Sequence, residues 1–406
     1  MNAQQGTTPT SGAPRFFAER IALVFSAPML VNGIGLPFFP LWLSSLAFDD
    51  FQIGIVLAVP MVVRVFTAPL AGVLADRIGE RAHVLVWSAV LSLMTACALF
   101  LSNSFWPVLL IYTLQGAVYA PFVPITEAIA LSGVRRWNFD YGKMRYWGSL
   151  AFIAATMVGG WLSGLYGGAM VLPSMATGFV SMVLVALMAP RIGKPRRPSP
   201  ISALAVGPAS SLRQKDVQFM LVGAALVNAS HALLFAFSVI YWETLGFTGT
   251  QIGLLWSAGV FAEVLVFVFA VQLRRRFSLW SMIIFGCAVA VARWLFYPQD
   301  VGLEGYFALQ CLHAFTYASI HIGVQNRIVQ RVSEDREASA QGVYFLYNGI
   351  FMAIATFVSG YAYAWYGVKA FYLMSVVAAT GFAFVLLARK CQPQSLPSGG
   401  KTSEAS

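Results

Sequence analysis

The sequence predicts an all-α, polytopic membrane protein with about twelve transmembrane helices in two pseudo-symmetric six-helix bundles. Three observations predict it. The 406-residue chain is 58% hydrophobic and only 10% charged, whereas soluble domains carry roughly a quarter charged residues. Its apolar runs recur at the length of a membrane crossing, roughly 20 residues at about 1.5 Å each. Of its 26 Lys and Arg, all but Arg64, Arg293 and Lys369 fall in every second gap between those runs or at the ends.

In order, the first six spans are expected near residues 16–44, 52–75, 83–101, 106–131, 141–165 and 169–188. The second six are expected near 217–242, 251–273, 278–297, 304–328, 338–365 and 369–389. The turn between the fourth and fifth spans is placed near Ser132 to Phe139. Residues 189–216, rich in Pro, Ser, Arg and Lys, form a linker between the bundles 16–188 and 217–389. Residues 1–15 are polar, lack the apolar core of a signal peptide and read as a disordered tail, so the first span is expected to remain as an anchor. Residues 390–406 form a second tail. Short basic loops stay in the cytoplasm, so both tails and the linker are expected there, in the inner membrane of a bacterium.

The halves repeat. Gln52-Ile53-Gly54 opens the second span and Gln251-Ile252-Gly253 the eighth. The same offset sets Arg64 opposite Glu263 and Asn32 opposite His231. Gly160 to Gly167 (GWLSGLYG) matches Gly360 to Gly367 (GYAYAWYG). Gln115 lies opposite His313, and Tyr119 opposite Tyr317. Parallel repeats of this kind are a transporter architecture with substrate held near the midplane between the halves.

The net charge of +10 is a topology signal repeated loop by loop rather than one basic face, which excludes nucleic acid as a partner. Cys97, Cys287 and Cys311 sit in apolar runs and Cys391 near the end, with no CxxC pair, so neither a metal site nor a disulfide framework is implied. No paired nucleophile and base and no phosphate loop is present, so no enzyme and no catalytic residue is expected. The expected partners are a small-molecule substrate, protons and the lipid bilayer. No cofactor is expected beyond a proton gradient, and the working form is expected to be a monomer.

Charges inside spans need a pairing or functional reason. Glu127 late in the fourth span and Arg145 early in the fifth lie at similar depth either side of their turn and are expected to pair. Arg64, Arg145, Arg293 and the histidines His231, His313 and His321 outnumber Glu127 and Glu263, which favours an anion in the cavity. Tyr119, Trp147 and Tyr317 are candidates for aromatic contact with it.

Gly72-x-x-x-Asp76-Arg77-x-Gly79-Glu80-Arg81 resembles the signature loop of the major facilitator superfamily. The resemblance implies a cytoplasmic gate at Gly72, Asp76, Arg77, Gly79 and Arg81, with Glu80 departing from the usual base. Asp140 to Phe152 (DYGKMRYWGSLAF) is similar to the lactose permease branch and closer to its phenylpropionate permeases. So are Val123 to Ala130 (VPITEAIA), Phe237 to Trp242 (FSVIYW) and Leu255 to Val264 (LWSAGVFAEV). The resemblance implies substrate binding by Glu127 and Arg145, and proton handling by Glu263, Arg293 and His313. Thr316 stands where that branch has an acid three residues after the His, so a symporter of this sequence must use Glu263 or Glu127 instead. A proton-coupled symporter of a small aromatic carboxylate is expected, with a sugar or nucleoside symporter and a drug-exporting antiporter as alternatives.

The loop asymmetry is directly testable. Reporter fusions at Ser199 and Asp300 should report opposite sides of the membrane; the same side for both would overturn the span count.

Overall fold

The computed structural model describes residues 12–78, 80–193, 214–332 and 337–392. Most of both tails and of the linker lies outside them. The described residues are almost entirely helical. The first half comprises α1 (Phe17–Ser45), α2 (Asp50–Ile78), α3 (Arg81–Leu99), α4 (Phe105–Tyr119), α5 (Phe122–Trp137), α6 (Tyr141–Tyr166) and α7 (Val171–Met188). The second comprises α8 (Lys215–Ala229), α9 (Ala232–Thr244), α10 (Gly249–Val268), α11 (Ala270–Arg276), α12 (Leu279–Phe296), α13 (Gly302–Cys311), α14 (Ile320–Arg331), α15 (Glu337–Tyr366) and α16 (Phe371–Lys390).

Nine stretches of the described residues are long and apolar enough to cross a membrane. Two of them, Tyr141–Met188 and Ala340–Lys390, each contain two helices joined by a 3-10 turn. A count of twelve also requires Gly302–Arg331, which is helical but more polar than those stretches. Side chains such as Leu70, Trp106, Leu110 and Trp365 stay about two-thirds or more exposed on the outer surface, a face suited to lipid rather than water.

Four expected spans are interrupted instead of continuous, the eighth of them at Phe269 between α10 and α11. The fourth breaks between α4 and α5 at Pro121, which has no N–H and crowds the preceding turn. The seventh breaks between α8 and α9, where Ser230 Oγ donates to the Val227 carbonyl at 2.6 Å and His231 Nδ1 faces the Val227 and Asn228 carbonyls at 3.3 and 3.1 Å. The tenth is wound as a π-helical turn, Ala314–Ser319, between α13 and α14. The turn after the fourth span also comes later than Ser132. Helix α5 continues to Trp137, its last turn carries Arg135 and Arg136, and Asn138 ends it at φ 58°. Bases favour a helix C-terminus and Asn tolerates the left-handed conformation.

The repeated Gln-Ile-Gly has a structural reason at each position. Gln52 and Asp49 exchange side-chain to backbone hydrogen bonds at 3.2 and 2.7 Å, closing the start of α2. Gln251 and Thr248 do the same for α10 at 2.7 and 3.3 Å, so both are reciprocal caps. Ile53 and Ile252 are buried. The glycines then pack across the halves, each on the glycine of the other repeat. A Cβ on Gly54 would lie 2.7 Å from Gly360 Cα, and one on Gly160 would lie 2.9 Å from Gly253 Cα. Backbones thus touch where α2 meets α15 and α6 meets α10, the close approach that small residues permit between membrane helices.

Both contacts lie toward the ends carrying the acidic loops. Replacing Gly54 and Gly253 together by Leu should hold the halves apart there, because overpacking a close contact costs about 1–3 kcal/mol. The double variant should transport at under a tenth of the wild-type rate while a cysteine placed near Gly360 gains reactivity from that side. Unchanged transport would show that the contacts do not form in the cycle.

Candidate substrate and coupling site

A cavity of about 130 Å³ opens between α1, α2, α4 and α7 of the first half and α9 and α15 of the second. Its wall is largely aromatic and apolar, with Tyr112, Tyr119, Phe179 and Phe235 among the lining residues. Asn32, Gln115 and Thr356 add polar edges, and Arg64 supplies a charge. Tyr119 is held by its hydroxyl, which lies 3.0 Å from both Asn32 Oδ1 and the Pro28 carbonyl, and by Phe179 edge-on at 5.8 Å. Arg64 forms no hydrogen bond or ion pair with any described residue.

Glu127 and Arg145 come together as the sequence suggested, with Arg145 Nε 3.6 Å from Glu127 Oε1 and each side chain about a third exposed (33% and 37%). Tyr141, at the start of α6, is within electrostatic reach of both. The guanidinium lies over the Phe25 ring at 5.3 Å, within cation–π range. Gly148 makes room for it: a Cβ there would lie 2.9 Å from Arg145 Nη1. That explains the Arg145-x-x-Gly148 spacing, since residues three apart share a helix face. Tyr141 and Phe25 were not singled out from the sequence.

The second half holds a longer polar cluster. Glu263 Oε2 lies 3.5 Å from His313 Nε2, and His313 Nδ1 lies 3.5 Å from Arg293 Nη1. A guanidinium only donates, so His313 accepts at Nδ1 and carries its proton at Nε2, toward Glu263. Arg293 is fully buried. It donates to Gln310 Oε1 at 2.5 Å and Thr316 Oγ1 at 3.4 Å, and lies over Trp294 at 4.6 Å. No described carboxylate pairs with it. Tyr317 stacks between His313 and His321, at 5.6 and 5.9 Å. Arg145 of the first half is within electrostatic reach of Glu263 of the second.

The repeat is visible in this chemistry. Arg64 in one half stands where Glu263 stands in the other, and Asn32 with Tyr119 stands where His231 stands with the tenth-span turn.

The MFS_1 like family model matches residues 24–374. The chain belongs to the MFS_1 like family, a branch of the major facilitator superfamily. It is 28% identical over 365 residues to the "Probable 3-phenylpropionic acid transporter" of Escherichia coli K12, covering 88% of this chain and 94% of that protein. It is 26% identical over 356 residues to the maltose permease of Geobacillus stearothermophilus, covering 83% of this chain and 86% of that one. The crystal structure of the nucleoside transporter NupG superposes with a TM-score of 0.76 over 93% of this chain and 99% of that one; at 16% identity it shows a shared fold. This MFS_1-like chain is a multi-pass membrane transporter, not an enzyme.

Two groups of expected residues are placed differently from the sequence reading. Trp147, a candidate for aromatic contact with the substrate, is half-exposed against Tyr146 at 4.9 Å and is not among the residues lining the cavity. In the loop after the second span, Arg77 is exposed, but Arg81 is 3% exposed and donates to the Ala128 carbonyl and Ser132 Oγ, both at 3.4 Å. Arg81 therefore ties α3 to α5. Glu80, the residue that departs from the superfamily pattern, caps α3 by accepting from Ala82 N–H at 3.3 Å and reaches Gly193 N–H at 3.0 Å. Gly79 lies outside the described residues, as do the side chains of 71–76, which include Gly72 and Asp76.

Removing either partner of the first-half pair strands the other in a half-buried site. A charged side chain left without its partner in the membrane costs about 2.5–3.5 kcal/mol, roughly tenfold or more. Uptake by Glu127→Gln and by Arg145→Ala should fall below a tenth of wild type at equal membrane levels. Near-normal uptake in both would remove the pair from the transport cycle.

Proposed function

We propose that this transporter is a symporter moving a small aromatic carboxylate with a proton, by alternating access, across the bacterial inner membrane. In this reading both termini and the linker at 189–216 face the cytoplasm, as the loop charges require. Arg64 carries the proposal: a cation that no described residue pairs, at an aromatic-walled cavity between the halves. A carboxylate would take up its guanidinium through charge-assisted hydrogen bonds, and a phenyl ring would pack among Tyr112, Phe179 and Phe235. A relative described as a phenylpropionic acid transporter supports the same class.

The proton belongs in the second half. Glu263 is the carboxylate whose partner, His313, leads away from the cavity into the Arg293 cluster. A partly desolvated carboxylate beside a neutral imidazole can exchange a proton within a transport cycle. Arg145 lies within reach of both Glu127 and Glu263, so protonation of Glu263 changes the field on the first-half pair.

The Glu127–Arg145 pair favours a second reading. In lactose permease, which this part of the chain resembles, such a pair binds a sugar. A sugar has no carboxylate for Arg64 and would bind indifferently to its charge.

Competition separates the two. The acid form of 3-phenylpropionate should compete in uptake and its methyl ester at least about tenfold less well, the worth of a charged hydrogen bond. Arg64→Gln should raise KM for the acid by at least about tenfold. Equal competition by acid and ester, or displacement by neutral sugars, would overturn the anion reading. The proton assignment has its own assay: Glu263→Gln should retain counterflow, which needs no net proton movement, and lose uphill uptake driven by a pH gradient. Retained uphill uptake would move the proton elsewhere.

A further inference from the structure

His231 is fully buried at the break between α8 and α9, and the transport cycle above gives it no task. Its ring nitrogens have distinct surroundings. Nδ1 faces two backbone carbonyls, Val227 at 3.3 Å and Asn228 at 3.1 Å, which only accept. The neutral ring therefore carries its proton at Nδ1 and presents a bare Nε2. That nitrogen lies 2.9 Å from Thr316 Oγ1.

Thr316 already accepts from Arg293 Nη1 at 3.4 Å. Its single proton has two destinations, His231 Nε2 at 2.9 Å and the His313 carbonyl at 3.3 Å. The shorter contact orients the hydroxyl with its lone pairs toward Arg293. Arg293 in turn presents Nη1 to His313 Nδ1, which turns His313 Nε2 toward Glu263. The charged and titratable groups facing His231 are Arg293 from α12 and His313 from the tenth-span turn, with ring centroids 5.1 Å apart for the two histidines. Trp294 and Phe235 enclose the rest of the ring. The repeat position in the first half, Asn32, is also an acceptor, taking the Tyr119 hydroxyl at 3.0 Å.

We infer that His231 is a positioning residue of the coupling cluster: as a neutral acceptor it holds the Thr316 hydroxyl, and the pair orients Arg293 from the position where the resembling branch has an acid. This inference rests on the proton-coupled reading for its consequence in transport, but its geometry can be read separately.

The transport arm compares gradient-driven uptake with counterflow in proteoliposomes, using 3-phenylpropionate, for wild type, His231→Leu, Thr316→Val and His231→Gln. Gln keeps an acceptor near the Nε2 position and cannot titrate. The ratio of driven uptake to counterflow should fall at least tenfold in His231→Leu and Thr316→Val, and stay within threefold of wild type in His231→Gln. The double variant His231→Leu/Thr316→Val should be no worse than either alone. A wild-type ratio in His231→Leu, or a His231→Gln protein as impaired as His231→Leu, would overturn the inference. The second arm needs no coupling. With only four histidines in the chain, ¹⁵N-histidine NMR of the purified protein should show one ring protonated at Nδ1 with a hydrogen-bonded, unprotonated Nε2. That signal should vanish in His231→Gln and shift in Thr316→Val. Its absence in wild type, or its indifference to Thr316→Val, would overturn the inference even if transport proved uncoupled. Wild-type protein with no gradient-driven uptake would overturn the symport reading and leave the NMR arm to decide.

Discussion

A charge inside the membrane must find a partner, and that requirement organises this transporter. A lone charged side chain at the bilayer centre costs about 2.5–3.5 kcal/mol by the lower scales. Arg293 meets the requirement entirely with neutral groups: the Gln310 amide, the Thr316 hydroxyl, the His313 ring and the face of Trp294. Because the guanidinium has fixed planar geometry, fixing it also fixes His313 and, through His313, the approach to Glu263. Arg145 meets the requirement with Glu127 and the Phe25 ring. Arg64 has no described protein partner and borders the cavity. The proposed anion is placed there for that reason.

The internal repeat distributes these tasks. Equivalent positions hold a cation in the first half and a carboxylate in the second, so the symmetry survives in the backbone while the chemistry has diverged. It also supplies the contact between the halves. Gly54 against Gly360 and Gly160 against Gly253 are backbone-to-backbone approaches without interlocking side chains. Surfaces of this kind can separate and re-form without repacking rotamers, which suits two bundles that rock about a central site.

Much of this was legible in the sequence. Span length, loop charge and the Gln-Ile-Gly repeat placed most helix ends within a few residues, because bilayer thickness and capping chemistry act locally. The Glu127–Arg145 pair was legible because two opposite charges flanked one turn. The breaks in the fourth, seventh, eighth and tenth spans were not, since hydropathy averages over them; Pro121 was the one local sign. The motif marks Arg81 as a gate residue, but nothing local shows that its guanidinium finds acceptors on α5, a contact 47 residues away in sequence. Residue type alone offers Trp147 for substrate contact, and it packs against Tyr146 outside the cavity lining. The link from His231 to Thr316 spans 85 residues and depends on how two broken helices meet, which no local pattern encodes.

The central claim is that an aromatic carboxylate and a proton travel together. It is tested most directly by the pH of a lightly buffered medium around de-energised cells that contain the transporter. On addition of 3-phenylpropionate the account predicts a transient alkalinisation that is absent from cells lacking the protein and abolished by a protonophore. Uptake of the acid with no pH change, or with acidification, would contradict it.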